Sequence, residues 1–230
     1  MRNHDLSNRL HTSIWLLKTY AISAGMYASQ IWATPYLQQE MDSPLQKWLL
    51  AVLKRMLGVR DTTPSWCVMQ ECGLEPLQFN WFCAAMRLYN SLTKFNSYTM
   101  KKVLHADMQL STRSKDCWSA PILCAMNGLT QSYIFKQKLQ HCEPIDLSRF
   151  VVDLRERHLE YWTPYSETRP REHNNKRSTY HQRCALPTKR ALATHSPCIL
   201  PKYMFLYLPR DGICSAARFR LCVHTLRFEF

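Results

Sequence analysis

The sequence predicts a mainly helical fold: a helical bundle, a helical connector and a basic, proline-punctuated C-terminal region. Three observations predict it. Apolar residues recur at helical spacing along most of the first 162 residues. Only 5 of the 230 residues are glycine, so few turns can depend on glycine, and several of the 12 prolines fall where helices should begin or end. Hydrophobic residues make up 46% of the chain, which is enough for a folded core.

A long first helix is predicted over residues 10–32, with Pro35 just beyond its end. The chain carries no charge from residue 19 to residue 39. A face of small residues, which another element can approach closely, recurs at every fourth position: Ala21, Gly25 and Ser29. Small residues at this spacing also occur where membrane helices pack, so a membrane span is the alternative. Polar residues interrupt the stretch, and a buried helix is therefore favoured.

The second helix has the clearest boundaries. Ser43 is suited to cap its start, Pro44 to its first position and Gly58 to its end. One apolar stripe is expected to face inward: Leu45, Trp48, Leu49, Val52, Leu53 and Met56. Three cations are expected on the other side: Lys47, Lys54 and Arg55.

More helices are predicted as far as Trp162. They are expected at residues 64–73, 76–94, 99–110, 121–127, 129–140 and 147–162. Asp146 is suited to cap the last of them. Residues 163–177 are polar and rich in charge, which is typical of an exposed linker. The final segment, residues 218–230, fits a strand or a helix, and a helix is favoured.

These patterns predict three regions. Residues 1–95 form a helical region, residues 96–162 a helical connector, and residues 163–230 a basic linker with a C-terminal region. Ten cysteines are scattered without any C-x-x-C pair, so free thiols in a reducing, intracellular setting are expected. Cys67, Cys83 and Cys124 are expected to pack as small apolar side chains.

The charge of the chain favours a polyanionic partner. Thirty Lys and Arg against 17 Asp and Glu give a formal net charge of +13. The excess is uneven: residues 1–145 carry 15 basic and 9 acidic side chains, whereas residues 169–227 carry 12 basic and 2 acidic ones. A protein that is basic without a polyanionic partner is the alternative. The C-terminal third is therefore the stronger candidate for binding nucleic acid.

No pattern for catalysis or cofactor binding occurs in the sequence. There is no adjacent acidic pair to share metal ions, no H-E-x-x-H or G-x-S-x-G, and no phosphate-binding glycine loop. His158 is interpreted as a packed residue. Asp153, Glu156 and Glu160 are interpreted as a solvated face with ion pairs. We therefore expect no metal, no cofactor, no small-molecule substrate and no catalysis by this chain alone.

What remains is binding to nucleic acid through basic side chains. Cations on a helix can contact phosphates, and the aromatic residues Tyr165, Tyr180 and His181 among the downstream cations suit stacking on unpaired bases. The candidate nucleic-acid-binding residues are Lys47, Lys54, Arg55, Arg60, Lys176, Arg177, Arg183, Lys189, Arg190, Arg218 and Arg220. The alternative is a helical protein-interaction module whose basicity is incidental.

The stretch from Ser13 to Lys94 resembles the part of LINE-type (non-LTR) retrotransposon reverse transcriptases that follows the palm. It contains PLQKWLLAVLKRMLGVRDTTPSWCVMQECGLEPLQFNWFCAAMRLYNSL. The matching features, in the family's order, are Tyr27 with Trp32, the Leu57–Gly58 turn, Thr63–Pro64, and Glu71 to Leu77. The rest of the chain resembles the region between the thumb and a C-terminal zinc motif.

The resemblance implies a thumb-like bundle whose second helix lies near a template–primer duplex, with a basic tail that holds element RNA or target DNA. It implies a nuclear location if the chain is functional. The family's Tyr/Phe-x-Asp-Asp box and Cys/His zinc motif have no counterpart in these 230 residues. We therefore expect a fragment of an RNA-directed DNA polymerase that is non-catalytic alone, or a decayed, non-functional element product.

Overall fold

The computed structural model describes residues 10–39, 41–94, 98–162, 201, 204 and 210–221. Within these residues the protein is mainly helical and has no strand, which confirms the predicted fold class. The described residues form two compact units. The first unit lies within Met1–Gly25, Pro44–Glu75 and Tyr161–Phe230, and the second within Met26–Ser43 and Pro76–Glu160. The predicted boundaries after residues 95 and 162 stay predictions.

The described residues contain eleven α-helical segments. They are α1 (Leu10–Leu16), α2 (Ser23–Gly25), α3 (Ser29–Trp32), α4 (Pro44–Leu57), α5 (Ser65–Glu71), α6 (Leu77–Lys94), α7 (Tyr98–Leu110), α8 (Ser119–Met126), α9 (Ser132–Gln140), α10 (Leu147–Trp162) and α11 (Arg210–Arg220). A π-helical stretch, Leu17–Ile22, joins α1 to α2, and a 3-10 turn, Thr34–Tyr36, follows α3.

The prediction of one continuous helix over residues 10–32 was wrong. The backbone turns after α2, where Ala28 takes a left-handed conformation with φ of +50°. The Trp32 indole Nε1 donates to the Tyr27 carbonyl at 2.8 Å and spans this turn. Serine, glycine and β-branched residues are weak helix formers, so local propensity does not resist the break. The first and second units divide at this turn, between Gly25 and Met26.

The predicted close approach of another element to the small-residue face occurs at Gly25. A Cβ atom placed on Gly25 would lie 2.8 Å from Cδ2 of Leu45, near the start of α4. Of the other two members of that face, Ser29 is buried and Ala21 is half-buried. Glycine thus lets the start of α4 come close to α2 inside the first unit.

Helix α4 has its predicted bounds but not its predicted orientation. It begins at Pro44 and ends at Leu57, and Gly58 follows with φ of +64°. The buried residues are Gln46, Leu49, Leu50, Leu53 and Leu57. Trp48, which was expected to face inward, is 47% exposed. The helix is rotated relative to the prediction because Gln46 lies inside, where its Nε2 is 3.5 Å from the Met69 sulfur.

An aromatic cluster forms the centre of the second unit. Phe150 of α10 packs edge-on against Phe82 of α6, with ring centroids 4.9 Å apart, and against Phe135 of α9 at 5.4 Å. All three rings are buried. Edge-to-face aromatic pairs add to the stabilisation that burial of these rings provides.

Buried polar side chains join the helices of the second unit through backbone groups. Asn90 donates to the Ile145 carbonyl at 2.6 Å and accepts from the Ile145 amide at 2.8 Å. The Asp153 carboxylate accepts from the amides of Thr130 and Gln131, just before α9. Asp153 is only 3% exposed, so its predicted place on a solvated face was wrong. It binds the two backbone amides that directly precede α9 instead.

Other boundaries agree to different degrees. Helix α10 has its predicted bounds, and the Asp146 carboxylate accepts from the Ser148 amide at 3.0 Å, as expected of a cap. Helix α8 begins two residues earlier and α9 three residues later than predicted. In the final segment, the described helix is α11, which ends at Arg220. Residues 222–230 and the predicted linker at 163–177 lie outside the described residues.

The three cysteines expected to pack as apolar side chains are free thiols with different environments. Cys67 and Cys83 are buried, as predicted, whereas Cys124 is exposed. Cys124 differs because it lies on the outward side of α8, whose inward positions include Ile122 and Ala125. A cysteine on an apolar helix is therefore not always a core residue.

Candidate nucleic-acid interface

One side of α4 presents cations and an aromatic ring to solvent. Lys47, Ala51 and Arg55 follow at four-residue intervals, and all three are exposed, as is Trp48. At about 100° per residue, Trp48 and Arg55 lie within about 20° of each other around the helix, opposite the buried side. We call Lys47, Trp48, Ala51 and Arg55 the outer face of α4. The helix contains no Asp or Glu, so no acidic side chain of α4 offsets these cations.

Lys54 is less available than the other candidates on this helix. It is half-buried, and its Nζ donates to the Asp61 carbonyl at 2.5 Å. Burial lowers the pKa of Lys54, and the Asp61 carboxylate partly offsets that effect. Of the basic strip predicted as Lys47, Lys54 and Arg55, Lys54 is thus bonded to the loop after α4. Arg60, in that loop, is exposed and adds a cation near the end of the helix.

Helix α11 packs against the end of α4 within the first unit. Arg218 Nε donates to the Gly58 carbonyl at 2.7 Å, and the Cys214 thiol lies 3.7 Å from the Met56 carbonyl. A cation at the carbonyl end of a helix is favourable because this is the negative end of the helix dipole. Arg218, a predicted nucleic-acid ligand, therefore has a role in packing, although its side chain remains exposed.

Arg220 is also held within the first unit. Its Nε donates to Oε1 of Glu71 at 2.7 Å, and the Glu71 side chain has no exposed surface, whereas that of Arg220 is 36% exposed. A buried carboxylate needs such a partner because isolated charge is costly away from water. Arg220 is thus paired with Glu71, the last residue of α5, and is not counted in the outer face of α4.

Five of the predicted ligands cannot be placed on this surface. Lys176, Arg177, Arg183, Lys189 and Arg190 lie outside the described residues, as do the aromatic residues Tyr165, Tyr180 and His181. Of the candidates that the structure describes, it brings Lys47 and Arg55 together on one helix face, with Arg60 close in sequence. The candidate interface is therefore this face with Arg60.

Trp48 is the residue of this surface that the sequence pattern assigned to the core. A second stripe, which passes through Gln46, has the same helical spacing as the predicted one and is the one that is buried. A sequence signal was available, since tryptophan is enriched at interfaces as well as in cores. The apolar periodicity of the helix nevertheless favoured a core position for Trp48.

No three His, Cys, Asp or Glu side chains in the described parts of the chain lie where they could hold a metal ion. None of the helices described combines the length and the apolar character needed to cross a membrane. Burial raises the pKa of the Cys72 thiol, so that thiol is protonated at neutral pH.

Comparison with protein-family models, curated proteins and solved structures finds no match for this chain. The resemblance of residues 13–94 to LINE-type reverse transcriptases is therefore supported by the motifs themselves and by no relative.

Proposed function

We propose that this chain is a non-catalytic thumb and post-thumb part of a LINE-type retrotransposon RNA-directed DNA polymerase, and that it binds nucleic acid through the outer face of α4 and Arg60. The observation that carries the binding proposal is the exposure of Lys47, Trp48 and Arg55 on one side of a helix without acidic residues. The ordered motifs from Tyr27 to Leu77 support the family.

The physical basis of binding is attraction between these cations and phosphates. Lysine and arginine displace counterions from the backbone, and this gain is independent of base sequence. Lys47 and Arg55 are separated by about 12 Å along the helix, so they can contact different phosphates of one strand. The buried side of α4 holds the helix against the first unit, so its cations project from a packed support. Such contacts position element RNA, a template–primer duplex or target DNA without reading its sequence.

The proposal assigns no chemical step to this chain. The family's Asp-Asp box, which would hold metal ions for nucleotide transfer, has no counterpart in the sequence. The chain would bind nucleic acid as part of a polymerase in the nucleus, and residues outside this chain would catalyse nucleotide transfer.

Binding should depend steeply on salt. We expect the logarithm of the binding constant for a fluorescein-labelled duplex to fall linearly with the logarithm of the salt concentration, with a slope of about −0.9 for each phosphate contact. At least two contacts, from Lys47 and Arg55, predict a slope of about −2 or steeper. Fluorescence anisotropy between 50 and 200 mM salt measures it. Binding that is absent, or insensitive to salt, would contradict the proposal.

A protein-interaction role is the second candidate, and one observation favours it. Trp15 and Tyr20 are 58% and 67% exposed, and Leu16 is 41% exposed, near one another in sequence in α1 and the π-helical stretch. Exposed apolar side chains grouped in this way are typical of surfaces that pack against another protein. Such binding buries apolar area and should change little with salt, which separates it from binding to phosphates.

A further inference from the structure

Trp48 stands on the outer face of α4 among cations. It is 47% exposed, although tryptophan is usually well buried in folded proteins. Its helix neighbours one turn away are Pro44 and Leu45 before it and Ala51 and Val52 after it, none of which has a long charged side chain. The exposed part of the indole is therefore available to a ligand.

Phosphate contacts alone do not require an aromatic side chain at this position. In a blunt duplex the base faces are stacked within the helix and are inaccessible to a tryptophan on a protein surface, whereas an unpaired base exposes a face that an indole can cover. Lys47 directly precedes Trp48 and lies about 100° from it around the helix, whereas Arg55 follows two turns later on nearly the same side. Both can contact phosphates of a strand whose base reaches Trp48. Cations with an adjacent exposed aromatic ring are the combination that binds single strands.

We propose that Trp48 stacks on an unpaired base and makes the outer face of α4 selective for single-stranded nucleic acid or for a single-stranded overhang beside a duplex. This inference rests on the proposed binding function and adds to it the structural class of the ligand. Trp48 acts as a specificity residue, whereas Lys47 and Arg55 supply attraction to any strand. The partner is a nucleic acid because α4 carries three cations, Lys47, Lys54 and Arg55, and no acidic side chain.

The test compares three fluorescein-labelled DNAs of equal strand length with the full chain: a single strand, a duplex with a single-stranded overhang and a blunt duplex. We expect Trp48→Ala to weaken binding of the single strand and the overhang about 5-fold to 100-fold. Binding of the blunt duplex should change less than about 2-fold, and the salt slope should be unchanged, because the phosphate contacts remain. Trp48→Phe should retain most of the affinity for the single strand, since it keeps an aromatic face.

Tyr133→Ala is the control. Tyr133 is also an exposed aromatic residue, at 77%, and it lies in α9, outside the outer face of α4. It should leave all three affinities unchanged. Loss of affinity in Trp48→Ala that is equal for the single strand and the blunt duplex would overturn the inference, as would no loss at all. If the unmodified chain shows no salt-dependent binding, the proposed function itself fails. If it binds and only Trp48→Ala is without effect, the stacking inference alone fails.

Discussion

Replacing Phe150 with alanine is expected to lower the free energy of unfolding of the second unit by about 3–5 kcal/mol. The Phe150 ring is fully buried, and it contacts Phe82 and Phe135 edge-on at 4.9 and 5.4 Å between centroids. Its removal loses both the burial of the ring and the aromatic contacts, and it leaves a cavity that rigid neighbours fill poorly. Urea denaturation followed by circular dichroism at 222 nm measures the change.

The control for this variant is Tyr133→Ala. Tyr133 is an aromatic residue of α9 in the same unit, and it is 77% exposed. Its removal should change the free energy of unfolding by no more than about 0.5 kcal/mol. A loss below about 1 kcal/mol for Phe150→Ala would mean that the three phenylalanine rings are not the centre of this unit.

The second large effect is expected from Arg220→Ala, which should destabilise the first unit by about 2–3 kcal/mol. Arg220 is bonded at 2.7 Å to Glu71, whose side chain has no exposed surface. Removing one partner of a buried ion pair costs about 3–5 kcal/mol, and here the Glu71 carboxylate would lose its charged hydrogen bond to Arg220. We place the effect at or below the bottom of that range because the Arg220 side chain is 36% exposed, and water screens part of the interaction. Chemical denaturation of the full chain measures it.

A double-mutant cycle with Glu71→Gln isolates the contribution of this pair. If the contact between Arg220 and Glu71 is responsible, the two substitutions should be coupled by about 1 kcal/mol or more. Arg210→Ala is the control, since Arg210 lies at the exposed start of the same helix α11. Additive effects of Arg220→Ala and Glu71→Gln would contradict the pairing.

Local signals in the sequence predicted much of the secondary structure. Pro44 and Gly58 fixed the ends of α4, and Asp146 marked the start of α10, because capping and turn geometry depend only on nearby residues. The mainly helical class followed from apolar periodicity. The candidate cations Lys47 and Arg55 were also predictable, since a charged residue rarely faces a core.

The remaining features depend on residues far apart in sequence. Gln46 faces inward because Met69 and the rest of the first unit surround it, and this rotates α4 and exposes Trp48. Arg220 pairs with a residue 149 positions earlier, and periodicity gives no sign of such a partner. The break at Ala28 is equally hidden, because apolar residues continue at helical spacing up to this position. Long-range packing decides the positions of Gln46 and Arg220.

The central claim, that the outer face of α4 and Arg60 bind phosphates, is tested most directly by comparing two triple variants that lose the same charge. One removes the interface cations: Lys47→Ala, Arg55→Ala and Arg60→Ala. The other removes three exposed cations of the second unit: Lys101→Ala, Arg113→Ala and Lys115→Ala. The measurement is the slope of log binding constant against log salt for one duplex. We expect the interface variant to make this slope shallower by about 2–3 units, at about 0.9 for each lost contact, and the control variant to leave it unchanged. Equal slopes for the two variants would contradict the account.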